Sequence, residues 1–72
     1  MGADIRIRAR LSRKEFSILE NAARAVPIDV GYSEGTLHFH YAYWGDDHAN
    51  KCEAFVDGFC MGRGIKRPKW GY

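Results

Sequence analysis

Cysteine and proline each occur only twice in the 72 residues, no apolar run is long, and acidic residues are missing from the last fifteen positions. Two cysteines are too few for a secreted disulfide scaffold. If Cys52 and Cys60 share a helix, their Cα atoms lie about 12 Å apart, beyond the roughly 7 Å a disulfide spans, so both are expected to be reduced packing residues. No stretch approaches the roughly 20 apolar residues that cross a bilayer. The opening Met1-Gly2-Ala3-Asp4 lacks the cationic and apolar pattern of a signal peptide, so no membrane association and a cytoplasmic location are expected. With 46% hydrophobic and 14% aromatic residues, the chain has the means to offset its ordering entropy and is not of the disordered class. Its length allows one core and one domain. In so short a chain burial and entropy nearly cancel, so a partner, a dimer interface or tight packing is expected to contribute.

The patterning is clear. From Asp4 to Leu11, Ile5, Ile7, Ala9 and Leu11 alternate with Arg6, Arg8 and Arg10, which predicts a half-buried strand. Ser12 precedes Glu15 by three residues, a capping box, and Leu11 and Phe16 occupy the positions of a hydrophobic staple. A helix is therefore predicted from Arg13, with Phe16, Leu19, Ala22, Ala23 and Val26 on its apolar side, until Pro27 ends it. Alternation resumes with Ile28, Val30 and Tyr32, turns at Ser33-Glu34-Gly35, and returns along Thr36 to Trp44 as the second arm of a hairpin. In that arm Leu37, Phe39, Tyr41 and Tyr43 form the expected core face, opposite Thr36, His38, His40, Ala42 and Trp44.

Gly45-Asp46-Asp47 should break the strand and supply N-cap carboxylates to a second helix striped with Cys52, Phe55, Val56 and Phe59 and ended by Gly62 or Gly64. Gly58 inside that helix suggests close packing, or an interface with a partner. The fold class is α+β, ordered β-α-β-β-α: a three-stranded antiparallel or mixed sheet with the longest strand central and two helices on one face. Residues 1–65 make one domain, and residues 66–72 a basic, aromatic tail.

One sheet face is then uncovered. It would carry Arg6, Arg8 and Arg10 beside His38, His40 and Trp44, with same-side residues about 6.6 Å apart along a strand. Such a face suits an anionic partner, either an acidic protein surface or nucleic acid; the plainer reading is that the arginines keep an edge strand soluble. Charge is also zoned: six basic and three acidic groups in residues 1–26, one and six in 27–57, four and none in 58–72. The net +2 thus conceals basic ends around an acidic middle. Asp46, Asp47, Glu53 and Asp57 form a second candidate surface, suited to a basic partner such as the nucleic-acid channel of another protein. The tail mixes Lys66, Arg67 and Lys69 with Trp70 and Tyr72, a combination that can follow phosphates and stack bases. Ile65 and Trp70 could equally fold back over the core.

Other chemistry finds little support. His38 and His40, with His48, Asp46 or Asp47, can be imagined around a metal, but no CxxC or HExxH element accompanies them, so no metal or other cofactor is expected. Ser12 is used as a cap, Ser17 and Ser33 lack a neighbouring histidine and carboxylate, and neither cysteine lies beside a histidine in the sequence. No catalytic residue is assigned.

In size and layout, with α/β elements from Arg6 through Phe59 and zoned surface charge, the chain resembles small phage-encoded inhibitors of bacterial defence, including anti-CRISPR proteins. The likeness covers the whole chain, rests on no motif and transfers no functional residue. It implies stoichiometric binding to a larger nuclease or surveillance complex, by occluding its nucleic-acid site or blocking its assembly. The expectation is a non-enzymatic binding protein, monomeric or homodimeric, acting on a protein partner through Arg6, Arg8, Arg10, His38, His40 and Trp44; the alternative is a small DNA- or RNA-binding protein using that face and the tail.

Overall fold

In the computed structural model, which describes residues 2–70, the alternating segments become a three-stranded antiparallel sheet and the two periodic segments become helices. The order is β1 (Ala3–Arg8), α1 (Arg13–Ala25), β2 (Asp29–Ser33), β3 (Thr36–Tyr41) and α2 (Asp46–Gly62). Met1, Gly71 and Tyr72, the last two belonging to the expected tail, lie outside the described residues. β3 is central, with β1 and β2 antiparallel to it on either side. Since β1 and β2 are parallel to each other, β1-α1-β2 is a β-α-β unit split by β3.

Period two decides what each strand buries. On β3, Leu37, Phe39 and Tyr41 are buried, and on β1 so is Ile7. Both helices cover this side, α1 over β2 and α2 over β3. Leu19 and Ala23 of α1, and Ala49, Cys52, Val56 and Cys60 of α2, complete the core. Phe39 meets Phe55 and Phe59 edge-on, at centroid distances of 6.4 and 5.9 Å. Both cysteines are free and buried. No helix among the described residues is long and apolar enough to cross a membrane.

Two strands end earlier than their alternation suggests, because a strand needs a neighbour. The hairpin loop is only Glu34-Gly35, both at positive φ (52° and 77°), the signature of a type I′ turn. Past Gly35, which accepts the Ala9 N–H at 3.0 Å, β1 has nothing to pair with. Arg10 and Leu11 therefore lie in the connection to α1, where the Leu11 N–H donates to the Tyr32 hydroxyl at 3.1 Å. At the other end β3 stops at Tyr41, whose partner is Ala3, the first residue of β1. Tyr43 and Trp44 fall in the following loop and are exposed, so Tyr43 is not a core residue.

The helix ends are built differently. Ser12 and Glu15 form the expected capping box on α1. α2 is capped by Gly45, with no side-chain hydrogen bond, and Asp46 and Asp47 sit inside its first turn. There they complement the helix dipole instead of capping. Its far end is a Schellman arrangement: Ile65 N–H donates to Cys60 O at 2.8 Å and Gly64 N–H to Met61 O at 3.3 Å, with Gly64 at a φ of 69°. Arg63 ties this end to the start of α1. It donates to Glu15 Oε2 at 2.9 Å and to the Arg10 carbonyl at 2.8 Å.

The packing reason suggested for Gly58 does not hold. A Cβ built there meets nothing within 4 Å, since the residue faces an open groove between the helices, lined by Ile18, Ala22, Ala54 and Phe59. Gly58→Ala is expected to stabilise the fold by about 1 kcal/mol through helix propensity alone, read as a rise in Tm. Glu15 supplies a pH prediction. The Ser12 backbone N–H, then the Arg63 guanidinium and the Ser12 hydroxyl, hold its carboxyl at about 2 instead of 4.5. A depressed folded value means that its stabilisation is present above about 4.5 and is lost as pH falls from there through about 2. Thermal melts across that window should fall less steeply for Glu15→Gln than for the wild type.

Candidate functional site

The face of the sheet away from the helices is a grid of three rows. Strand register sets Asp4, His40 and Asp29 in one row, Arg6, His38 and Gly31 in the next, and Arg8, Thr36 and Ser33 in the third. The rows differ in charge. Arg6 and Arg8 are exposed and make no ion pair among the described residues. Asp4 and Asp29 occupy the opposite end, where the His38 ring bonds Asp4 Oδ1. Gly31 leaves an open dip of about 370 Å³ bordered by one guanidinium, that of Arg6, by the His38 ring and by the hydroxyls of Ser33 and Thr36. Arg10 is off the grid, yet it lines with Arg8 a concavity of about 850 Å³ at the hairpin end, together with Ser12 and Glu34.

Four of the six residues expected on this face are there: Arg6, Arg8, His38 and His40. Trp44 is not. Its indole, 68% exposed, stacks on His48 at 4.8 Å and 24°. From His48 ring contacts continue to Tyr41 at 5.8 Å and from Tyr41 to Trp70 at 6.2 Å, which makes an aromatic chain around the end of the core. The first link joins Trp44, just before the N-cap Gly45, to His48 in the first turn of α2, a contact across the helix start that no helical spacing announces.

His48 also meets Cys52. The two are four residues apart on α2, and Cys52 Sγ lies 3.4 Å from His48 Nε2, so the sequence reading that left both cysteines without a histidine missed this pair. The contact is not an activated thiolate. His48 Nε2 donates to the Pro27 carbonyl at 2.8 Å, which leaves no lone pair on that nitrogen for the thiol proton. Burial, and then the Glu53 carboxylate, push the Cys52 thiol up from its ordinary value. Nδ1 of His48 is buried and has no hydrogen-bond partner among the described residues. Among the described residues no group of three or more histidine, cysteine and acidic side chains converges as a metal set.

The acidic candidates lie on α2, and most are engaged within the protein. Spacings of seven and four place Asp46, Glu53 and Asp57 along one line of the helix, the line facing Tyr43, Tyr41 and the tail. The Tyr43 hydroxyl donates to Asp46, which with partial burial raises the Tyr43 value. The Tyr41 hydroxyl donates to Glu53 at 3.4 Å; burial first, and the nearby Glu53 charge next, push that phenol up to about 12. Asp57 receives Arg67 at 3.0 Å and Trp70 Nε1 at 3.2 Å. Asp47 alone of the four makes no hydrogen bond or ion pair among the described residues.

Asp57 thereby explains the tail. Residues 65–70 fold back, with Ile65 and Trp70 packed on the core. Arg67 is neutralised, while Lys66 and Lys69 remain exposed. Compared with known proteins, the chain matches no protein family, no curated protein and no solved structure.

Removing the Asp57 carboxylate should release this strap. Asp57→Ala is expected to lower stability by about 1–3 kcal/mol, because it leaves the partly buried Trp70 N–H unpaired. In a Trp44→Phe background, Trp70 emission should shift to the red and trypsin should cut faster at Lys66 and Lys69. Unchanged emission would place the hold on Trp70 elsewhere.

Proposed function

We propose that the protein is a non-enzymatic binding module whose uncovered sheet face, at its arginine end, recognises an acidic patch on a larger protein. The observation that carries this reading is the contrast among arginines. Arg63 and Arg67 are hydrogen-bonded to carboxylates and Arg24 lies 4.0 Å from one, whereas Arg6 and Arg8 stand together on the open face with no ion-pair partner among the described residues. Arg8 and Arg10 rim one concavity, and Gly31 leaves an open dip beside Arg6. Guanidinium groups suit such a partner because they grip carboxylates through two parallel hydrogen bonds.

A protein partner is favoured over nucleic acid on two grounds. Asp4 and Asp29 at the other end of the face would repel a phosphate backbone that ran along it. Neither tryptophan lies on this face to stack bases: Trp70 packs against Tyr41 and bonds Asp57, and Trp44 stacks on His48 in the loop before α2. The likeness in size and layout to anti-CRISPR proteins fits the same reading: an inhibitor or regulator that occupies a surface of a nucleic-acid-processing complex.

The test uses Arg8→Glu/Arg10→Glu, because both side chains are exposed and neither belongs to the core. The tagged wild type should retain a stoichiometric protein from bacterial lysate, identified by mass spectrometry, and binding of that purified partner should weaken at least about tenfold in the double variant with Tm unchanged. Undiminished binding by the variant would remove the arginine end from the interface. Tight, steeply salt-dependent binding of random oligonucleotides by the wild type would favour the nucleic-acid alternative instead.

A further inference from the structure

We infer that two copies of this chain pair antiparallel along β1, joining their sheets into one of six strands. The backbone of β1 alternates in the direction it points. Ala9 N–H bonds Gly35 O, and 9 opposite 35 continues the β1–β3 register, so the odd residues of β1 direct their N–H and C=O groups toward β3. In an antiparallel ladder these directions alternate. The backbone groups of Asp4, Arg6 and Arg8 therefore point outward, along an edge that no described residue covers.

An uncovered edge invites a strand, and the side chains specify which one. On the open face β1 presents Asp4, Arg6 and Arg8; on the core side it presents Ala3, Ile5 and Ile7, the first two half-buried. A two-fold axis through Ile5 sets Asp4 opposite the second copy's Arg6, and Arg6 opposite the second copy's Asp4. Both cross-strand pairs are then oppositely charged, and both are of the type that exchanges two backbone hydrogen bonds. The carboxylate has room for this, since His38 takes Oδ1 of Asp4 and Oδ2 has no partner among the described residues. Beneath the sheet, Ile5 meets Ile5 of the second copy, and Ala3 meets its Ile7.

Other registers are worse. Centring on Arg6 opposes two guanidinium groups, and centring on Asp4 opposes two carboxylates. At the other edge, the open-face set of β2, Asp29, Gly31 and Ser33, contains no cation and has no complementary pairing with itself. In the Ile5-centred dimer Arg8 remains outside the charge pairs. Arg6 is shared with the partner reading above, but the test of that reading changes Arg8 and Arg10 and leaves Asp4 and Arg6 untouched, so the two fail separately.

Sedimentation equilibrium should find a concentration-dependent species of twice 8.2 kDa. Asp4→Arg and Arg6→Asp should each weaken association by about tenfold or more, and the double variant should restore it, since the swap regenerates both opposite pairs. The Asp4–His38 contact is separated from pairing by His38→Ala, which removes it without touching either charge and should leave association unchanged. Crosslinking reads the register: oxidation should join Ile5→Cys chains to one another, because that pair lies on the axis, and should leave Ala3→Cys chains unjoined. A monomer at all concentrations, association indifferent to both charge swaps, or crosslinking at position 3 in preference to position 5 would overturn the inference.

Discussion

β3 is hydrogen-bonded along both edges, and that constraint organises the rest of the molecule. A strand held on two sides cannot rotate its residues, so Leu37, Phe39 and Tyr41 must share one face and Thr36, His38 and His40 the other. The first set is almost completely buried, at 0, 1 and 2% exposure, and it recruits α1 and α2 to the same side. Among the described residues these two helices are all the cover the sheet has. The second set is consequently left bare. The open face needs no dedicated structural device, since it follows from a central strand and too few elements to cover both of its faces.

Features whose cause lies within a few residues were legible in the sequence. The β-α-β-β-α order, the capping box of Ser12 and Glu15, the turn at Glu34-Gly35 and the core residues of β3 all follow from local spacing. Features set by distant neighbours were not. Arg10 and Leu11 continue the alternation of β1, but β3 has already turned away; Trp44 continues that of β3, but β1 begins only at Ala3. A one-dimensional pattern says which face a residue would take if paired, and it cannot say whether a partner is present. Gly58 shows the same limit from the other side, because its neighbours in space, not in sequence, decide whether a helix glycine marks close packing or an open groove. The contact between His48 and Cys52 is different, since a spacing of four on a helix was available to read.

Charge zoning changes meaning in three dimensions. The acidic middle of the chain suggested an anionic surface, yet Asp46, Glu53 and Asp57 turn to Tyr43, Tyr41, Arg67 and Trp70. These carboxylates close the ends of the fold: one anchors the loop before α2, one contacts the last core residue of β3, and one straps the tail. The basic ends divide similarly. Arg63 and Arg67 become structural through Glu15 and Asp57, whereas Arg6, Arg8, Lys66 and Lys69 remain outward. A solvated ion pair contributes little by itself, but each of these ties elements far apart in the chain, and each removes one charge from the surface available for recognition.

The arginines of β1 need not be assigned either to solubility or to recognition. The edge of β1 pairs residue for residue with β3 and carries no bulge or proline, so nothing in its backbone discourages an incoming strand. Discrimination must come from the side chains beside the outward-pointing groups. A strand that sets a cation opposite Arg6 or Arg8 meets repulsion at close range, and a neutral one leaves the guanidinium groups partly desolvated without a counter-charge. A strand with a carboxylate at the matching position is accepted, and β1 itself supplies one in Asp4. The charges that keep this edge from arbitrary pairing are therefore the same charges that define its permitted partner.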